Sequence, residues 1–304
     1  MKKAFQSKNS VPAGNVRDKV LSLLLRGCVA ISAGIIFVII IFVARESLPA
    51  IREIGFGPLF TDESWNPLGS NYNMVPMIVG TLAAAFGSLF LTVPLGLGTA
   101  LCIRFYSFPV TAWLLRRCVE ILAGIPSVVY GLLGMSVIVP AIAAWSPIGQ
   151  GQSLLAGILI LSIMTFPTIT VAADAAIGAV PKNLTQAAAA LGLSKRAIIW
   201  SVIFPAARRG ILSGVILQVG RALGETMAVL MVCGNVVRFP KSFFQPVRTL
   251  TANIALEMGY ADELHRSLLF VSGLILLVVV IAVMFLAQWG DRQRGNGGGK
   301  EFAK

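Results

Sequence analysis

Six long apolar runs decide what this chain can fold into. They cover residues 23–44, 76–103, 119–144, 154–177, 211–236 and 268–289. About 20 helical residues cross the ~30 Å hydrocarbon core of a bilayer, and each run is long enough to do so. Only α-helices and closed β-barrels can cross a membrane, and these runs lack the alternation typical of barrel strands. The sequence therefore predicts an all-α, polytopic membrane protein with six transmembrane helices.

The composition agrees with a membrane protein. Only 12% of the 304 residues are charged, against about 25% in a typical soluble domain. The net charge of +12 would suggest nucleic-acid binding in a soluble protein, but the chain has no basic face interleaved with aromatic residues. We therefore expect no nucleic-acid partner. The basic residues are better explained as the flanks of spans surrounded by membrane lipid.

The lysines and arginines also predict the orientation of the chain. With the N-terminus inside, 18 of the 25 lie in inner segments or, as Arg26 does, at the inner end of the first run. Six lie in outer segments, and Arg221 alone lies deep within a run. Because inner flanks of membrane spans are enriched in these residues, both termini are predicted to be cytoplasmic. Residues 1–22 then form a basic cytoplasmic tail, 23–289 form the transmembrane domain, and 290–304 form a flexible, glycine-rich cytoplasmic tail. The first run is longer than the roughly 7–15 apolar residues of a signal peptide, so we expect it to be retained.

The sequence predicts neither a metal site nor an enzyme centre. The four cysteines form no C-x-x-C pair, and the only histidine, His265, is expected to be an interfacial polar residue. The chain also lacks the G-x-x-x-x-G-K-[ST] loop that holds nucleotide phosphates, since GNGGGK in the tail has a different spacing. We therefore expect no cofactor on this chain, and any ATP that it uses must be bound by a partner.

Two outer segments are long. Residues 45–73 and 238–266 could each dock an external partner, or they could simply cover the helix bundle. The sequence leaves both alternatives open.

The inner segment between the fourth and fifth runs has the most informative pattern. It reads VPKNLTQAAAALGLSKRAIIWSVIFPAARRGILSG over residues 180–214. Its alanine-rich part favours a short helix, because alanine is the best helix former. Gly192 is expected to end or bend that helix, and a second helix is expected to follow as far as Pro205. Such a helix–glycine–helix suits insertion into a groove on a partner, and an ordinary helical connector is the alternative.

This segment resembles the cytoplasmic coupling loop of ABC importer permeases, whose pattern is E-A-A-x-x-x-G-x9-I-x-L-P. The matching positions in this chain are Gln186, Ala187, Ala188, Gly192, Val202, Phe204 and Pro205. The departure is Gln186, which keeps the size and hydrogen-bonding capacity of the usual glutamate but not its charge. The resemblance implies that this loop contacts an ATPase subunit.

A wider resemblance, over roughly residues 20–290, is to the phosphate-specific permeases of the PstC type. It is carried by RALGETMAVLMVCGN, GIPSVVYGLLG and PVRTLTANIALEMGYA. It implies a type I importer permease in the cell inner membrane that moves inorganic phosphate by alternating access. It also implies a PstA-type permease as heterodimer partner, two copies of a cytoplasmic ATPase and a periplasmic phosphate-binding protein. An importer permease for another oxyanion and an ion-coupled secondary transporter, which would need no ATPase loop, are the alternatives.

Two charges inside the fifth run are candidates for the substrate path. Arg221 lies ten residues into the run, ~15 Å along a helix and close to the middle of the membrane. A charge there costs at least about 2.5–3.5 kcal/mol and is a functional candidate. Arg221 and Glu225 are four residues apart, so they are expected to share one helical face and can pair. We expect the planar guanidinium to bind phosphate oxygens and Glu225 to weaken that binding; an ion pair that only joins helices is the alternative.

Two prolines within the runs are predicted to kink helices. Pro126 and Pro167 free backbone carbonyls at membrane depth, which neighbours or water must then satisfy. Thr168 and Thr170, beside Pro167, are therefore candidates for a polar pathway. The alternative is that both hydroxyls bond to their own helix.

Overall fold

Six helical segments of the described chain are long and apolar enough to cross a membrane, as the sequence predicted. The structure is a computed structural model that describes residues 16–147 and 149–301, so most of the predicted N-terminal tail lies outside it. The candidate spans are Val20–Ile54, Val75–Tyr106, Ser127–Trp145, Leu154–Gly178, Lys195–Gly224 and Glu263–Trp289. We refer to the end of the bundle that carries residues 55–74 as the outer end, and to the end that carries residues 179–196 as the inner end.

The helices follow one another with short connections. They are α1 Val16–Ile54, α2 Pro58–Thr61, α3 Val75–Leu101, α4 Pro109–Ala123, α5 Ser127–Leu133, α6 Val139–Trp145, α7 Leu154–Gly178, α8 Lys182–Ala190, α9 Lys195–Ile198, α10 Phe204–Gly224, α11 Met227–Val232, α12 Leu250–Glu257 and α13 Glu263–Glu301. Three π-helical turns extend or join them, at Cys102–Tyr106, Gly134–Ile138 and Ile199–Ile203. At the outer end β1 (Trp65–Asn66) pairs antiparallel with β2 (Asn71–Tyr72) across a 3-10 turn.

The bundle is built around α7. Its 25 residues contribute to three of the four apolar clusters, packing against α3 and α10 along its length and against α11 near its outer end. By contrast, α1 exposes almost every large side chain between Val20 and Phe42, and it contacts mainly α13. α7 is therefore the central helix of the bundle, whereas α1 packs at its edge and leaves most of its surface uncovered by this chain.

The third predicted span is wrong at its start. The chain forms two helices here, α4 and α5, and Pro126 stands between them as the residue that precedes α5. Pro126 therefore separates two helices instead of kinking one. The physical reason is that the residue before a proline is disfavoured in helical conformation, and Gly124 adds a second weak helix former.

The helices that contain the first and last spans also extend beyond their predicted ends. α1 begins at Val16 and runs to Ile54, so it includes part of both the predicted tail and the first outer segment. α13 continues to Glu301, through most of the tail that was predicted to be flexible. In residues 263–301 no proline interrupts the backbone hydrogen bonds of the apolar span.

The second outer segment is fastened onto the bundle. The backbone N–H groups of Leu154 and Leu155, at the outer end of α7, donate to the carbonyls of Gln245 and Phe243. At the start of α12 the N–H of Leu250 donates to the Thr81 hydroxyl of α3 over 3.0 Å. These contacts favour the alternative in which residues 238–266 cover the bundle. Docking of a partner onto their free side stays a prediction.

Candidate functional site

The fifth predicted span is interrupted inside the bundle. α10 ends at Gly224, Glu225 adopts an extended conformation (φ −67°, ψ 130°), and helix resumes only at Met227. Gly224 is a weak helix former and lies where the helix stops. α11 buries Ala228 and Val229 among α5 and α7, so the break lies within the folded bundle.

This break corrects the prediction that Arg221 and Glu225 share one helical face. Arg221 lies in the last turn of α10, and Glu225 lies beyond its end. Among the residues that the structure describes, no ion pair joins the two. Instead, Glu225 accepts a hydrogen bond on its side chain from the Ala228 N–H (3.3 Å) and on its carbonyl from the Thr251 hydroxyl (2.9 Å). Glu225 therefore stabilises the break itself.

Arg221 is left exposed on the surface of the isolated chain. Its charge lies near the Tyr130 hydroxyl of α5, which donates to the Leu122 carbonyl over 2.8 Å. A cation in the last turn of a helix is stabilised by the helix dipole. A cation exposed within a membrane-spanning helix nevertheless requires protein or a wet cavity as its neighbour. The structure thus keeps Arg221 as a candidate for the path but removes its expected partner.

The threonines beside Pro167 bond within their own helix. α7 continues through Pro167 without a break, and the predicted kink at this proline stays a prediction. The Thr170 hydroxyl is buried and donates to the Phe166 carbonyl (2.8 Å). Thr168 donates to the Thr165 carbonyl (2.8 Å) and to the Gln218 side chain of α10 (2.9 Å). The structure shows the arrangement given as the alternative, and a pathway role for these hydroxyls stays a prediction.

The inner loop has the predicted helix–glycine–helix form. α8 ends in a Schellman motif: Gly192 has φ +77°, its N–H donates to Ala189, and the N–H of Leu193 donates to Ala188. Only glycine adopts this backbone conformation without strain. The Ser194 hydroxyl then caps α9 by accepting from Ala197 (3.3 Å). The glycine therefore produces a sharp turn between the two helices.

Most of this loop faces away from the rest of the chain. Of the residues that match the loop pattern, Gln186 and Ala187 are exposed whereas Ala188 is buried. Leu184, Leu191 and Leu193 are exposed as well, and Leu191 retains 81% of its accessible surface. Exposed leucines on a polar loop are typical of a surface that a partner covers.

The sequence predicted that the second helix of the loop ends at Pro205, and this prediction is wrong. The chain stays helical from Lys195 to Gly224. The π-helical turn Ile199–Ile203 comes directly before Pro205. A proline has no N–H to donate and crowds the carbonyl four residues earlier, and a π-helical turn supplies the local adjustment that lets the helix continue. The loop is therefore joined rigidly to the fifth span.

A carboxylate at the outer end was not predicted to be functional or structural. Glu257 accepts hydrogen bonds from Trp65 (2.9 Å) and Arg248, and it lies 2.8 Å from the His265 ring. His265 is buried in the folded chain, and its expected position at the membrane interface stays a prediction. Trp65 lies 192 residues from Glu257 in the sequence. Arg248 and His265 lie only nine and eight residues from Glu257, but both are outside α12, so no helical spacing rule predicts that the four meet.

An all-α bundle of six membrane-crossing helices, with an exposed helix–glycine–helix loop and without a nucleotide-binding motif, defines a membrane permease subunit. Residues 92–295 match the family described as binding-protein-dependent transport system inner membrane component. The chain belongs to this family. It is therefore a multi-pass protein of the inner membrane and a transport subunit, not an enzyme. The family implies a separate ATPase partner and a periplasmic substrate-binding protein.

Curated relatives agree over most of the chain. It is 35% identical to the "Probable ABC transporter permease protein YqgH" of Bacillus subtilis, covering 90% of both chains. It is 35% identical to the "Phosphate transport system permease protein PstC" of Mesorhizobium japonicum, covering 89% of this chain and 85% of the relative. The corresponding PstC of Xylella fastidiosa strain Temecula1 is 31% identical, with 92% and 94% covered.

Solved structures show the same fold. A bacterial ABC transporter involved in the import of the acidic polysaccharide alginate aligns over 91% of this chain and 96% of its own, with a TM-score of 0.64 and 16% identity. An inward-facing MetNI methionine ABC transporter aligns over 72% and 93%, with a TM-score of 0.55 and 19% identity. At these identities the likeness establishes the type I importer permease fold and not the substrate.

Proposed function

We propose that this chain is the PstC-type permease subunit of an ABC importer that carries inorganic phosphate inward by alternating access. The observation that carries the proposal is the 30–35% identity to phosphate transport permeases over about nine-tenths of the chain. Neither another oxyanion nor an ion-coupled mechanism has a comparable observation in its favour.

The helix break beside Arg221 supports an anion path at this place. Non-helical backbone inside a membrane is tolerated where it is buried in protein or lines a water-filled cavity. The break at Glu225 brings an exposed guanidinium to such a position. The planar fork of arginine matches two phosphate oxygens at once. Arg221 therefore attracts the anion, and Glu225 holds the backbone that presents it.

The exposure of Arg221 also supports a second permease subunit. Lipid is a poor neighbour for an arginine away from the headgroups. The helices α5 and α11 also expose apolar side chains, those of Val129, Leu132 and Met227. A PstA-type subunit against this face would cover the apolar residues and enclose the path. Phosphate would then cross between the two permeases.

The remaining partners bind at the two ends of the bundle. The exposed loop of α8 and α9 binds one of two cytoplasmic ATPase copies, which bind the ATP, while this chain itself holds no cofactor. The outer segments receive the periplasmic phosphate-binding protein. Both termini are cytoplasmic, as the distribution of lysine and arginine favours.

Uptake of radiolabelled phosphate tests this proposal. A bacterial strain without its own phosphate importers would express the complete complex with native Arg221, Arg221→Lys or Arg221→Gln. We expect that excess sulfate does not compete with phosphate uptake. Phosphate uptake should fall at least about tenfold in Arg221→Gln, the equivalent of one lost charged contact. It should fall by a smaller factor in Arg221→Lys.

Arg209→Gln provides the matched control, because Arg209 is an exposed arginine at the inner start of the same helix. Uptake is normalised to the amount of assembled complex in the membrane. Native uptake in Arg221→Gln would remove Arg221 from the path. Equal uptake of phosphate and sulfate by the native complex would contradict the substrate.

A further inference from the structure

One carboxylate at the inner end is held by two arginines from different elements. Arg104 Nε lies 2.8 Å from Asp174 Oδ1, and a second nitrogen of the same guanidinium donates to the Asp174 carbonyl over 3.0 Å. Arg116 of α4 lies 3.1 Å from the other carboxylate oxygen. Asp174 belongs to α7, so this cluster fastens the central helix to two of its neighbours.

The same cluster continues to the inner loop. Arg104 lies in the π-helical turn Cys102–Tyr106 that extends α3. The next two residues of that turn hold Lys195, the first residue of α9: its ammonium donates to the Phe105 carbonyl and lies 5.1 Å from the centre of the Tyr106 ring. A continuous series of polar contacts therefore joins the loop, the end of α3 and α7.

Apolar packing follows the same route. Ile199 and Ile203, just after α9, are buried against Ala173 and Ile177 of α7. A Cβ atom added to Gly178 would lie 2.5 Å from the Arg104 guanidinium. The glycine at the end of α7 thus provides the space that Arg104 occupies, and the loop cannot shift as a rigid body without disturbing this contact region.

The cluster is partly exposed to water, which allows its ion pairs to break and form again. The Asp174 side chain is 16% exposed, and those of Arg104 and Arg116 are 32% and 45% exposed. Water can therefore replace either arginine when the helices move. An ion pair of this kind contributes little to stability, but it can have two discrete arrangements, as a switching contact requires. With two arginines on one carboxylate, α4 can separate from α7 while Arg104 remains bound.

We propose that Asp174 is a positioning residue that couples the inner loop to α7. When the ATPase moves the loop, Lys195 and the end of α3 move with it, and the Arg104–Asp174 contact passes this motion to α7. Through the Thr168–Gln218 hydrogen bond, α7 then acts on α10, which carries Arg221. This inference rests on the proposed function, since it concerns how ATP hydrolysis is converted into phosphate movement.

The test measures two rates in the complete complex, reconstituted into proteoliposomes with its second permease, ATPase and binding protein. One rate is phosphate import, and the other is ATP hydrolysis with and without phosphate-loaded binding protein. In Asp174→Asn, which keeps the size of the side chain but removes its charge, we expect ATP hydrolysis to persist. The phosphate imported per ATP should fall at least about fivefold, the lower end of ordinary coupling between two sites.

Three further variants separate coupling from stability. Asp174→Glu keeps the charge and should restore most of the native ratio. Arg104→Gln removes the same contact from the other side, so it tests the inference even if Asp174→Asn fails to assemble, and it should lower the ratio as well. Glu120→Gln removes an exposed ion pair with Arg117 on the same helix and should leave the ratio native.

The outcomes are distinct. A native ratio of phosphate to ATP in assembled Asp174→Asn or Arg104→Gln complexes would overturn the inference. This holds even if less complex assembles, since Asp174 would then only stabilise the fold. A native complex in which phosphate-loaded binding protein stimulates no ATP hydrolysis would overturn the proposed function, and the inference with it.

Discussion

The two ends of the bundle hold similar ion clusters in different surroundings. At the outer end Glu257 is 6% exposed, and its carboxylate contacts Trp65, Arg248 and His265, which belong to the outer segments and α13. At the inner end Asp174 and its two arginines remain in partial contact with water. Buried and fully bonded charges are costly to separate, whereas exposed ones exchange partners easily. The comparison indicates that the outer cluster fixes a structure and the inner cluster permits a movement.

The largest effect on stability is expected at the outer cluster. Glu257→Ala leaves the partly buried Arg248 without its carboxylate, and breaking a buried pair costs up to about 3–5 kcal/mol. We expect little assembled complex and a strongly reduced free energy of unfolding in detergent. Glu263→Ala, at an exposed glutamate in the first turn of α13, is the matched control. Equal stability of the two variants would remove the distinction between the ends.

A smaller effect is expected from Trp65→Phe. This change keeps an aromatic ring but removes the indole N–H that donates to Glu257. Hydrogen bonds to charged groups contribute about 1.5–3 kcal/mol, so unfolding should require less denaturant, with assembly preserved. Uptake per assembled complex should stay native. A lower ratio of phosphate to ATP in this variant would mean that the outer cluster also takes part in coupling.

Gly192→Val should affect the inner loop without removing the chain from the membrane. A side chain at φ +77° costs about 1–2 kcal/mol, and it should displace α8 from α9. We expect less ATPase to co-purify. Gly55→Val, at φ +80° on the outer end, introduces the same strain away from the loop and should keep native ATPase recovery. Native recovery in Gly192→Val as well would contradict the ATPase contact.

The smallest effect on stability is expected from Asp174→Asn. Because the cluster is partly exposed, its loss should change the free energy of unfolding by only about 1 kcal/mol or less, although coupling falls. High salt should reduce this difference further. A loss as large as that in Glu257→Ala would mean that the inner cluster is structural, and the two ends would then be alike.

Local patterns predicted the parts of this protein that depend on neighbours in sequence. Six spans follow from apolar length, and the turn at Gly192 follows from one glycine after an alanine-rich helix. The break at Glu225 was missed because apolar content continues through it to residue 236, and only contacts such as Thr251 with the Glu225 carbonyl satisfy the interrupted backbone. The clusters of Asp174 and Glu257 were missed because their members come from separate elements of the fold. Arg104 and Arg116 were visible in the sequence only as basic residues of the inner side.

Phosphate accumulation in proteoliposomes tests the central claim most directly. The complete complex is reconstituted with ATP enclosed and with the binding protein outside, so that the inner loop of productive complexes faces the nucleotide. The account predicts that radiolabelled phosphate accumulates against its gradient only when ATP, binding protein and both permeases are present, and that excess sulfate does not reduce it. Accumulation without ATP under an imposed ion gradient, or equal accumulation of sulfate, would contradict it.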